Sequence, residues 1–357
     1  MNEERPVMIV AGGTGGHVFP AIAVAERLRA RGVPVVWLGT EAGLEARVVP
    51  AAGITLEPIT VRGLRSKGLR GWLGAPFMVL RATLQALRIL RRHRPRAVLG
   101  MGGYVSGPGA LAAKLLGVPL LIHEQNAVAG FTNRKLKPLA AKVMTGFEGV
   151  FGDDAKVVHT GNPVRRDIAA LPERRTSRDG ALHLLVLGGS QGAQALNETV
   201  PAALALLDPA LRPEVLHQAG PKHLAAAETA YAAAGIEARV VPFIDDMAEA
   251  YRWADLAVCR AGALTLAELA VAGVPSVLVP FPFAVDDHQT VNARHLVARD
   301  AAVLFPQDQL TPERLARLLS ELLADRTQLQ TMAANARSLG RPDAADRVAL
   351  LCLEAAR

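Results

Sequence analysis

The chain has 357 residues, half of them apolar, and a formal net charge of +7 at neutral pH. That length is too great for one ordinary hydrophobic core and predicts two domains. The composition excludes a disordered protein, and no apolar run reaches the roughly 18 residues of a membrane-spanning helix. Despite the positive charge we expect no nucleic-acid partner, because aromatic residues make up only 4% of the chain and no nucleic-acid-binding module is present.

The two cysteines, Cys259 and Cys352, lie far apart and lack metal-ligand spacing. The nine histidines form no HxxxH cluster, so we predict no structural zinc site. The first residues include acids and lead directly into a predicted strand, which is atypical of a signal peptide. These features favour a reducing cytosol.

The first half of the chain alternates predicted strands and helices. In chain order these are strand Val7–Val10, helix Val18–Arg29, strand Val35–Leu38, helix Leu44–Ala51, a helix from about Pro76 to Arg92, strand Ala97–Leu99, helix Pro108–Leu116 and strand Leu120–Ile122. This alternation predicts a mostly parallel sheet with helices on both faces.

A charged, proline-containing stretch through Asp179 precedes a second half with the same alternation. Its predicted elements are strand Leu184–Leu187, helix Ala195–Leu206, strand Val215–Gln218, helix His223–Ala233, strand Ala238–Val241, strand Leu256–Val258, helix Thr265–Ala272, strand Ser276–Val279 and helices Gln289–Ala298 and Pro312–Leu322. We predict domains at residues 1–161 and 162–341, and a C-terminal helix within 342–357 that packs back on the first domain.

Glycine turns follow the first predicted strand of each half, at Gly12–Gly16 and at Gly188–Gly192. A strand, a glycine turn and a helix N-terminus place backbone N–H groups where a phosphate can bind. The first turn departs from the dinucleotide-binding pattern because Val18 stands at its last position, and neither turn is a P-loop. For each turn alone, a plain βα turn is an equal alternative.

Polar residues follow other strands, at the strand ends where parallel sheets bind ligands. His123-Glu124-Gln125-Asn126 follows one apolar run; four polar residues favour a functional site, since a helix cap needs one. Glu268 is either a surface residue or a carboxylate that binds ribose hydroxyls. His17 stands at a helix N-terminus, which favours a neutral imidazole able to act as a base; the alternative is a capping histidine that bonds to the turn.

The segment 61–81 mixes cations with large apolar side chains. A solvated loop would carry the charges without the apolar groups, so the mixture favours a patch that binds an anionic membrane surface. Ordinary helix packing is an equal alternative. The predicted patch residues are Arg65, Lys67, Trp72, Leu73 and Phe77.

Six motifs in the same order resemble those of the MurG family, the peptidoglycan N-acetylglucosaminyltransferases that act on lipid I. They are GGTGGHVFP at 12–20, HEQN at 123–126, GNPVR at 161–165, GGSQG at 188–192, RAGALTLAE at 260–268 and DDHQTVNA at 286–293. Each motif alone is weak, but the ordered set is specific and covers nearly the whole chain. The sequence departs from the family at Ser66, where glycine is usual.

The resemblance implies an α/β protein of the GT-B fold, with two Rossmann-like domains whose parallel sheets face a central cleft. It implies an inverting glycosyltransferase that moves N-acetylglucosamine from UDP-GlcNAc to the 4-hydroxyl of MurNAc in lipid I, giving lipid II for peptidoglycan synthesis. It further implies no essential cofactor or metal and a peripheral position on the cytoplasmic face of the membrane. The implied partners are lipid I, anionic lipids and other cell-wall synthesis proteins.

The resemblance also assigns site residues by position. His17 is the leading catalytic candidate and Glu124 the reserve. Residues expected to bind UDP-GlcNAc are Thr14, Gly15, Gly16, Asn126, Arg165, Ser190, Ile244, Ala263, Leu264, Thr265, Leu266, Ala267, Glu268 and Gln289. Three other classes stay open: a GT-B enzyme with another acceptor, an epimerase of the UDP-sugar, and a non-catalytic nucleotide-binding module.

Overall fold

The computed structural model describes residues 5–61, 75–173, 180–189 and 192–356. Several residues singled out in the sequence lie outside these described ranges: Arg65, Ser66, Lys67, Trp72, Leu73 and Ser190. The chain divides into two compact units, the first formed by Met1–Arg165 with Asp343–Arg357 and the second by Arg166–Pro342.

The first unit contains a seven-stranded parallel sheet. Its strands are β1 (Val7–Ala11), β2 (Val35–Gly39), β3 (Thr55–Pro58), β4 (Ala97–Gly102), β5 (Leu120–Glu124), β6 (Lys142–Thr145) and β7 (Val157–His159). They lie in the order β3-β2-β1-β4-β5-β6-β7, and every pairing is parallel. Strands β1, β2, β4 and β5 are buried throughout, in keeping with the apolar runs in their sequences; β5 ends in two buried polar residues, His123 and Glu124.

Within the described residues the helices between these strands are α1 (Gly15–Ala30), α2 (Glu45–Ala51), α3 (Ala75–His93), α4 (Ser106–Leu115) and α5 (Phe131–Leu136). Helix α1 packs its Val18, Val24 and Leu28 into the core on one face of the sheet. Helix α3 packs Ala82, Ala86 and Leu90 into the core that contains Met8 and Val10. Helices therefore cover both faces of the sheet.

The second unit contains a six-stranded parallel sheet. Its strands are β8 (His183–Leu187), β9 (Glu214–Gln218), β10 (Arg239–Val241), β11 (Leu256–Cys259), β12 (Ser276–Leu278) and β13 (Ala302–Leu304). They lie in the order β10-β9-β8-β11-β12-β13, again all parallel. Its helices are α6 (Arg166–Ala169), α7 (Gln194–Ala205), α8 (Leu224–Ala234), α9 (Met247–Trp253), α10 (Ala263–Ala272), α11 (His288–Val297), α12 (Pro312–Ala324) and α13 (Arg326–Leu339).

Both strand orders are those of a doubly wound Rossmann-like sheet. The order reverses between β1 and β4 in the first unit and between β8 and β11 in the second. Ligands of such sheets bind beyond the carboxyl ends of the strands at that reversal. We therefore expect the ligand-binding residues in the turns that follow β1, β4, β8 and β11.

The C-terminal helix α14 (Ala344–Ala355) belongs to the first unit. Its Val348, Ala349 and Cys352 are buried in the core that includes α1. Asp346 reinforces this packing through ion pairs with Arg27 at 3.3 Å and Arg31 at 2.7 Å. The boundary of the first unit falls after Arg165 rather than after residue 161, because hydrogen bonds described below join residues 161 and 162 to β5 and its following loop.

Four short strands were not predicted from the sequence: β3, β6, β7 and β13. Strands β3 and β7 are at least partly exposed along their length, so they lack the apolar run on which the prediction depended. Every helix within the described ranges is too short or too polar to span a bilayer.

Candidate active site

Two glycine turns meet at the strand-order reversal of the first unit. The turn after β4 brings Gly103, with φ of 82°, against the turn after β1. A Cβ at Gly103 would lie 2.2 Å from the carbonyl oxygen of Gly12. The side chain of Ser106 supports the second turn by accepting a hydrogen bond from Gly102 N at 3.1 Å. Only glycine allows the two backbones to approach this closely.

A buried carboxylate, Glu45, holds the first of these turns. It is 0% exposed and accepts hydrogen bonds from Thr40 N at 3.1 Å, Thr40 Oγ1 at 2.6 Å and Gly13 N at 3.1 Å. Sequence reasoning missed Glu45, which looked like an ordinary residue of helix α2. The N–H of Gly13 is thus bound by the protein itself rather than left open for a phosphate.

The predicted base His17 lies in the first turn of α1. Thr14 caps this helix through its backbone oxygen, which accepts hydrogen bonds from His17 N and Val18 N. The imidazole lies against Gly102, where a Cβ would be 2.6 Å from Nδ1. That Nδ1 is 3.0 Å from Oε1 of Gln125, so the ring bonds to the residue after β5 and not to its own turn. Thr14 is exposed, whereas Gly15 and Gly16 are partly exposed beside it.

The polar segment 123–126, whose first two residues are the last of β5, is largely buried. Glu124 is buried and accepts hydrogen bonds from Asn126 N at 3.0 Å, Gly130 N at 2.9 Å and Asn133 Nδ2 at 2.9 Å. These bonds engage both carboxylate oxygens and hold the loop between β5 and α5. Asn126 is part of the same arrangement, since its Nδ2 also lies 3.4 Å from Glu124 Oε1.

His123 is a buried, neutral histidine within β5. Its Nε2 donates to the carbonyl oxygen of Gly161 at 3.1 Å, and burial lowers its pKa to about 4. Asn162 Nδ2 donates to the carbonyl oxygen of Gln125 at 3.0 Å. These bonds attach the 161–165 motif to the first unit. Arg165 follows, with its guanidinium 6.0 Å from the ring centre of Phe19 on α1.

A second buried histidine, His217, lies beneath the glycine turn of the second unit. Asn197 Nδ2 donates to Ala219 O at 3.1 Å, so its Oδ1 faces His217 Nε2 at 3.0 Å. His217 Nδ1 then accepts from Tyr231 Oη at 2.9 Å. Burial lowers the pKa of His217 to about 4, which keeps this chain of hydrogen bonds neutral.

The side chain of Glu268 on helix α10 is buried within the second unit rather than exposed to solvent. The side chain is 5% exposed, which removes the surface interpretation. Tyr251 Oη on α9 donates to Glu268 Oε2 at 2.9 Å. Tyr251 was missed in the sequence because an aromatic residue in a short helix carries no signal of a polar role.

Helix α10 also carries the predicted donor-binding run. Gly262 is its N-cap with extended backbone angles, and Leu266 N is hydrogen-bonded to Gly262 O at 3.0 Å. The N–H groups of a first helical turn point out of the helix end, where they favour an anion. The run from Ala263 to Glu268 consists of Ala263, Leu264, Thr265, Leu266, Ala267 and Glu268.

The other predicted donor residues that the structure describes in the second unit lie on a loop and at the start of a helix. Ile244, which follows β10, is buried. Gln289 is the second residue of α11, and its Oε1 accepts a hydrogen bond from Phe281 N at 2.9 Å. Among the residues that the structure describes, no three His, Cys, Asp or Glu side chains gather as a metal site.

Large apolar side chains are exposed along one stripe of α3. Phe77 is 78% exposed, and Leu80 and Leu84 continue the stripe at 57% and 49%. The same helix also exposes the cations Arg81, Arg88, Arg91 and Arg92, the last of them ion-paired with Glu57. Phe77 is the member of the predicted patch that the described ranges include, and it lies on the surface rather than in a helix-packing contact.

Each unit is a Rossmann-like α/β fold with a parallel sheet, which confirms the fold class predicted for each half of the chain. A family model for the glycosyltransferase family 28 N-terminal domain matches residues 7–145. A model for the glycosyltransferase family 28 C-terminal domain matches residues 183–348. The chain belongs to glycosyltransferase family 28.

Known relatives match the chain over its full length. A protein from Alkalilimnicola ehrlichii is 63% identical over 99% of both chains, and one from Nitrosococcus oceani is 60% identical over 98% of both. Both are named UDP-N-acetylglucosamine--N-acetylmuramyl-(pentapeptide) pyrophosphoryl-undecaprenol N-acetylglucosamine transferase. The crystal structure of Acinetobacter baumannii MurG has a TM-score of 0.84 and 44% identity, covering 98% of this chain and 99% of that one.

Proposed function

We propose that this chain transfers N-acetylglucosamine from UDP-GlcNAc to the 4-hydroxyl of MurNAc in lipid I, with inversion at the anomeric carbon, giving lipid II. The observation that carries the proposal is full-length identity of 63% to a relative of that named activity. The buried Glu268, held by Tyr251 more than a turn into α10, agrees with binding of a nucleotide sugar.

The second unit would bind the donor. The first turn of α10 suits the diphosphate, because its N–H groups and helix dipole favour negative charge. Glu268 would accept hydrogen bonds from the ribose hydroxyls, and the backbone of Ile244 would pair with uracil. Gln289 would contact the transferred sugar, and Arg165 and Ser190 would contact the phosphates.

The first unit would supply the base. His17 lies beside the exposed Thr14 and the partly exposed Gly15 and Gly16, which would contact the sugars. Glu124 was the reserve candidate, but three donors from its own loop already engage both of its oxygens. We therefore assign Glu124 to holding that loop and Asn126, and His17 to the proton transfer.

The reaction needs one displacement. His17 removes the proton from the acceptor 4-hydroxyl as that oxygen attacks the anomeric carbon of the donor. The bond from the anomeric carbon to the diphosphate breaks, and UDP leaves with the electron pair. Helix α10 would stabilise the developing negative charge on UDP through its N-terminal N–H groups.

Transfer of radiolabelled sugar from UDP-GlcNAc to a lipid I analogue tests this function directly. Labelled lipid II is the expected product. Conversion of UDP-GlcNAc without acceptor would instead indicate an epimerase. Transfer only to other acceptors would indicate a different GT-B enzyme. Binding of the donor without turnover would indicate a nucleotide-binding module. Any of these three results would refute the proposal.

Two variants test the residue assignments. His17→Ala should lower kcat by about 10²–10⁴-fold with little change in donor KM, whereas His93→Ala on α3 serves as a histidine control with normal kcat. Glu268→Ala should raise the donor KM, because losing hydrogen bonds to a charged group costs about 1.5–3 kcal/mol. Normal kcat in His17→Ala, or normal donor KM in Glu268→Ala, would remove that residue from the site.

We also propose that the exposed stripe of α3 binds the cytoplasmic face of an anionic membrane, where lipid I is presented. Phe77 and Leu80 would enter the lipid interface while neighbouring arginines approach the headgroups, each worth about 1 kcal/mol. Binding to anionic vesicles should weaken with salt and in a Phe77→Ser, Leu80→Ser variant. The control Leu206→Ser, with the same 57% exposure as Leu80, should bind normally. Equal binding to neutral vesicles would refute the electrostatic part.

A further inference from the structure

Gln125, which follows β5, is a buried amide whose two ends have different partners. The residue is 2% exposed. Its Nε2 donates to the carbonyl oxygen of Met101 in β4 at 2.8 Å, and its Oε1 lies 3.0 Å from His17 Nδ1. Asn162 Nδ2 holds its backbone oxygen at 3.0 Å. The side chain is therefore fixed between β4 and the imidazole.

The contact with Met101 determines which way the amide faces. A carbonyl oxygen only accepts hydrogen bonds, so the NH₂ end of Gln125 must face Met101. The opposite orientation would place two acceptor oxygens 2.8 Å apart without a hydrogen. The amide oxygen must then face His17.

The orientation of Gln125 in turn determines the tautomer of His17. An amide oxygen has no proton to donate, so the hydrogen of this bond must lie on His17 Nδ1. A neutral imidazole carries one N–H, which leaves Nε2 unprotonated with its lone pair available. The carbonyl oxygen of Met101 thus determines, through the side-chain amide of Gln125, that Nε2 of His17 is the nitrogen that can act as a base.

We propose that Gln125 is a positioning residue for proton transfer, which holds His17 in the Nδ1–H tautomer so that Nε2 accepts the proton. The proposal rests on the assignment of His17 as the base. As the acceptor proton moves to Nε2, the ring becomes an imidazolium and Gln125 Oε1 continues to accept from Nδ1–H. The amide therefore serves both protonation states without moving, and it holds the ring orientation between turnovers.

NMR of ¹⁵N-histidine-labelled protein tests the tautomer without any substrate. The resonances of His17 are assigned by their loss in His17→Ala. In the neutral imidazole of the wild type, we expect Nδ1 to resonate as a protonated nitrogen and Nε2 as an unprotonated one. A protonated Nε2 in the neutral ring would overturn the proposal.

Two substitutions of Gln125 test its role. Gln125→Met keeps the length of the side chain but removes both hydrogen bonds, so the neutral ring of His17 should no longer be confined to the Nδ1–H form. Gln125→Glu, when its carboxyl is protonated, keeps a donor for Met101 O and an acceptor for Nδ1–H, and it should restore that tautomer. We expect kcat of Gln125→Met to fall by between tenfold and about 10⁴-fold, the upper bound being loss of the base itself. Its donor KM should change little, and Gln125→Glu should recover part of kcat.

A control for lost buried hydrogen bonding comes from the same unit. Thr83 on α3 is buried and donates to Val79 O at 2.8 Å, so Thr83→Val removes one buried bond away from His17 and should keep normal kcat and the wild-type tautomer. An unchanged tautomer and pH–rate profile in Gln125→Met would refute the role of Gln125. If Gln125→Met does not fold, the NMR spectra of the wild type and of Gln125→Glu test the proposal. A protonated Nε2 in the neutral ring of His17 in either protein would refute it. Normal kcat in His17→Ala would refute the base assignment alone, since the tautomer is read independently of activity.

Discussion

Acidification should destabilise the second unit through the buried His217. Burial lowers the pKa of this histidine from 6.5 to about 4. In the unfolded chain it gains a proton near pH 6.5, whereas in the folded unit it stays neutral until about pH 4. Stability is therefore full above pH 6.5 and falls as the pH drops from 6.5 towards 4. A pKa difference of this size corresponds to about 3 kcal/mol, lost at up to about 1.4 kcal/mol per pH unit.

Urea unfolding between pH 7 and pH 4 measures this loss. Pulsed hydrogen exchange at each urea concentration lets peptides of the second unit report their own transition, since two units need not unfold together. The comparison is wild type with His217→Gln, which lacks the titrating group. The difference in unfolding free energy between them should shrink by about 3 kcal/mol on acidification.

The matched control is His223→Gln, a partly exposed histidine of the same unit that precedes α8 and makes no side-chain capping bond. Its unfolding free energy should follow that of the wild type across the whole pH range. Parallel curves for wild type and His217→Gln would refute the reasoning, because they would mean that His217 takes up its proton equally in both states. His123, whose pKa burial also lowers to about 4, should act in the same way on the first unit.

Three further outcomes follow from buried contacts. Tyr251→Phe removes the hydroxyl that donates to Glu268 and should raise the donor KM roughly fivefold at unchanged kcat, for a bond worth about 1 kcal/mol; an unchanged KM would contradict this. Burial raises the pKa of Cys259 and Cys352 to about 12, so both should resist a thiol reagent at pH 8 until the protein unfolds, and rapid native labelling would contradict it. Asp346→Asn breaks both ion pairs of α14 and should lower the free energy of unfolding of the first unit, measured with urea, by at most about 1 kcal/mol, less at high salt; a salt-independent loss would contradict an ionic cause.

The two sheets could be predicted because buried parallel strands appear as apolar runs followed by polar or glycine residues. Strands β1, β2, β4 and β5 have this form, and the alternation with helices left few topologies. Strand β3, with the sequence Thr-Leu-Glu-Pro and an exposed residue at each end, has no such run. Strand β3 forms because it pairs with the edge of β2. Such pairing depends on tertiary structure, which a short sequence window does not show.

The candidate site could be predicted only where it follows the rule that ligands of parallel sheets bind beyond the carboxyl ends of the strands. This rule identified the turn that leads to His17, the polar segment at the end of β5 and the start of α10, because each comes soon after a buried strand. It did not find Glu45 or Tyr251, whose importance depends on the partner each meets across the fold. For Glu124 the rule found the position, but the hydrogen bonds around the carboxylate point to a different role from the one expected.

The two halves of the chain show why a glycine turn alone does not define a phosphate site. The turn after β1 has the glycines, the strand and the helix that such a site requires, yet Gly13 N donates to Glu45 at 3.1 Å. A buried carboxylate at that point also opposes a second anion close by, since like charges repel strongly away from water. At the start of α10 the first turn carries no acidic residue, and Glu268 lies more than a turn further on. The two helix starts therefore differ in charge, because a carboxylate from α2 is bound to the turn after β1 and no carboxylate lies in the first turn of α10.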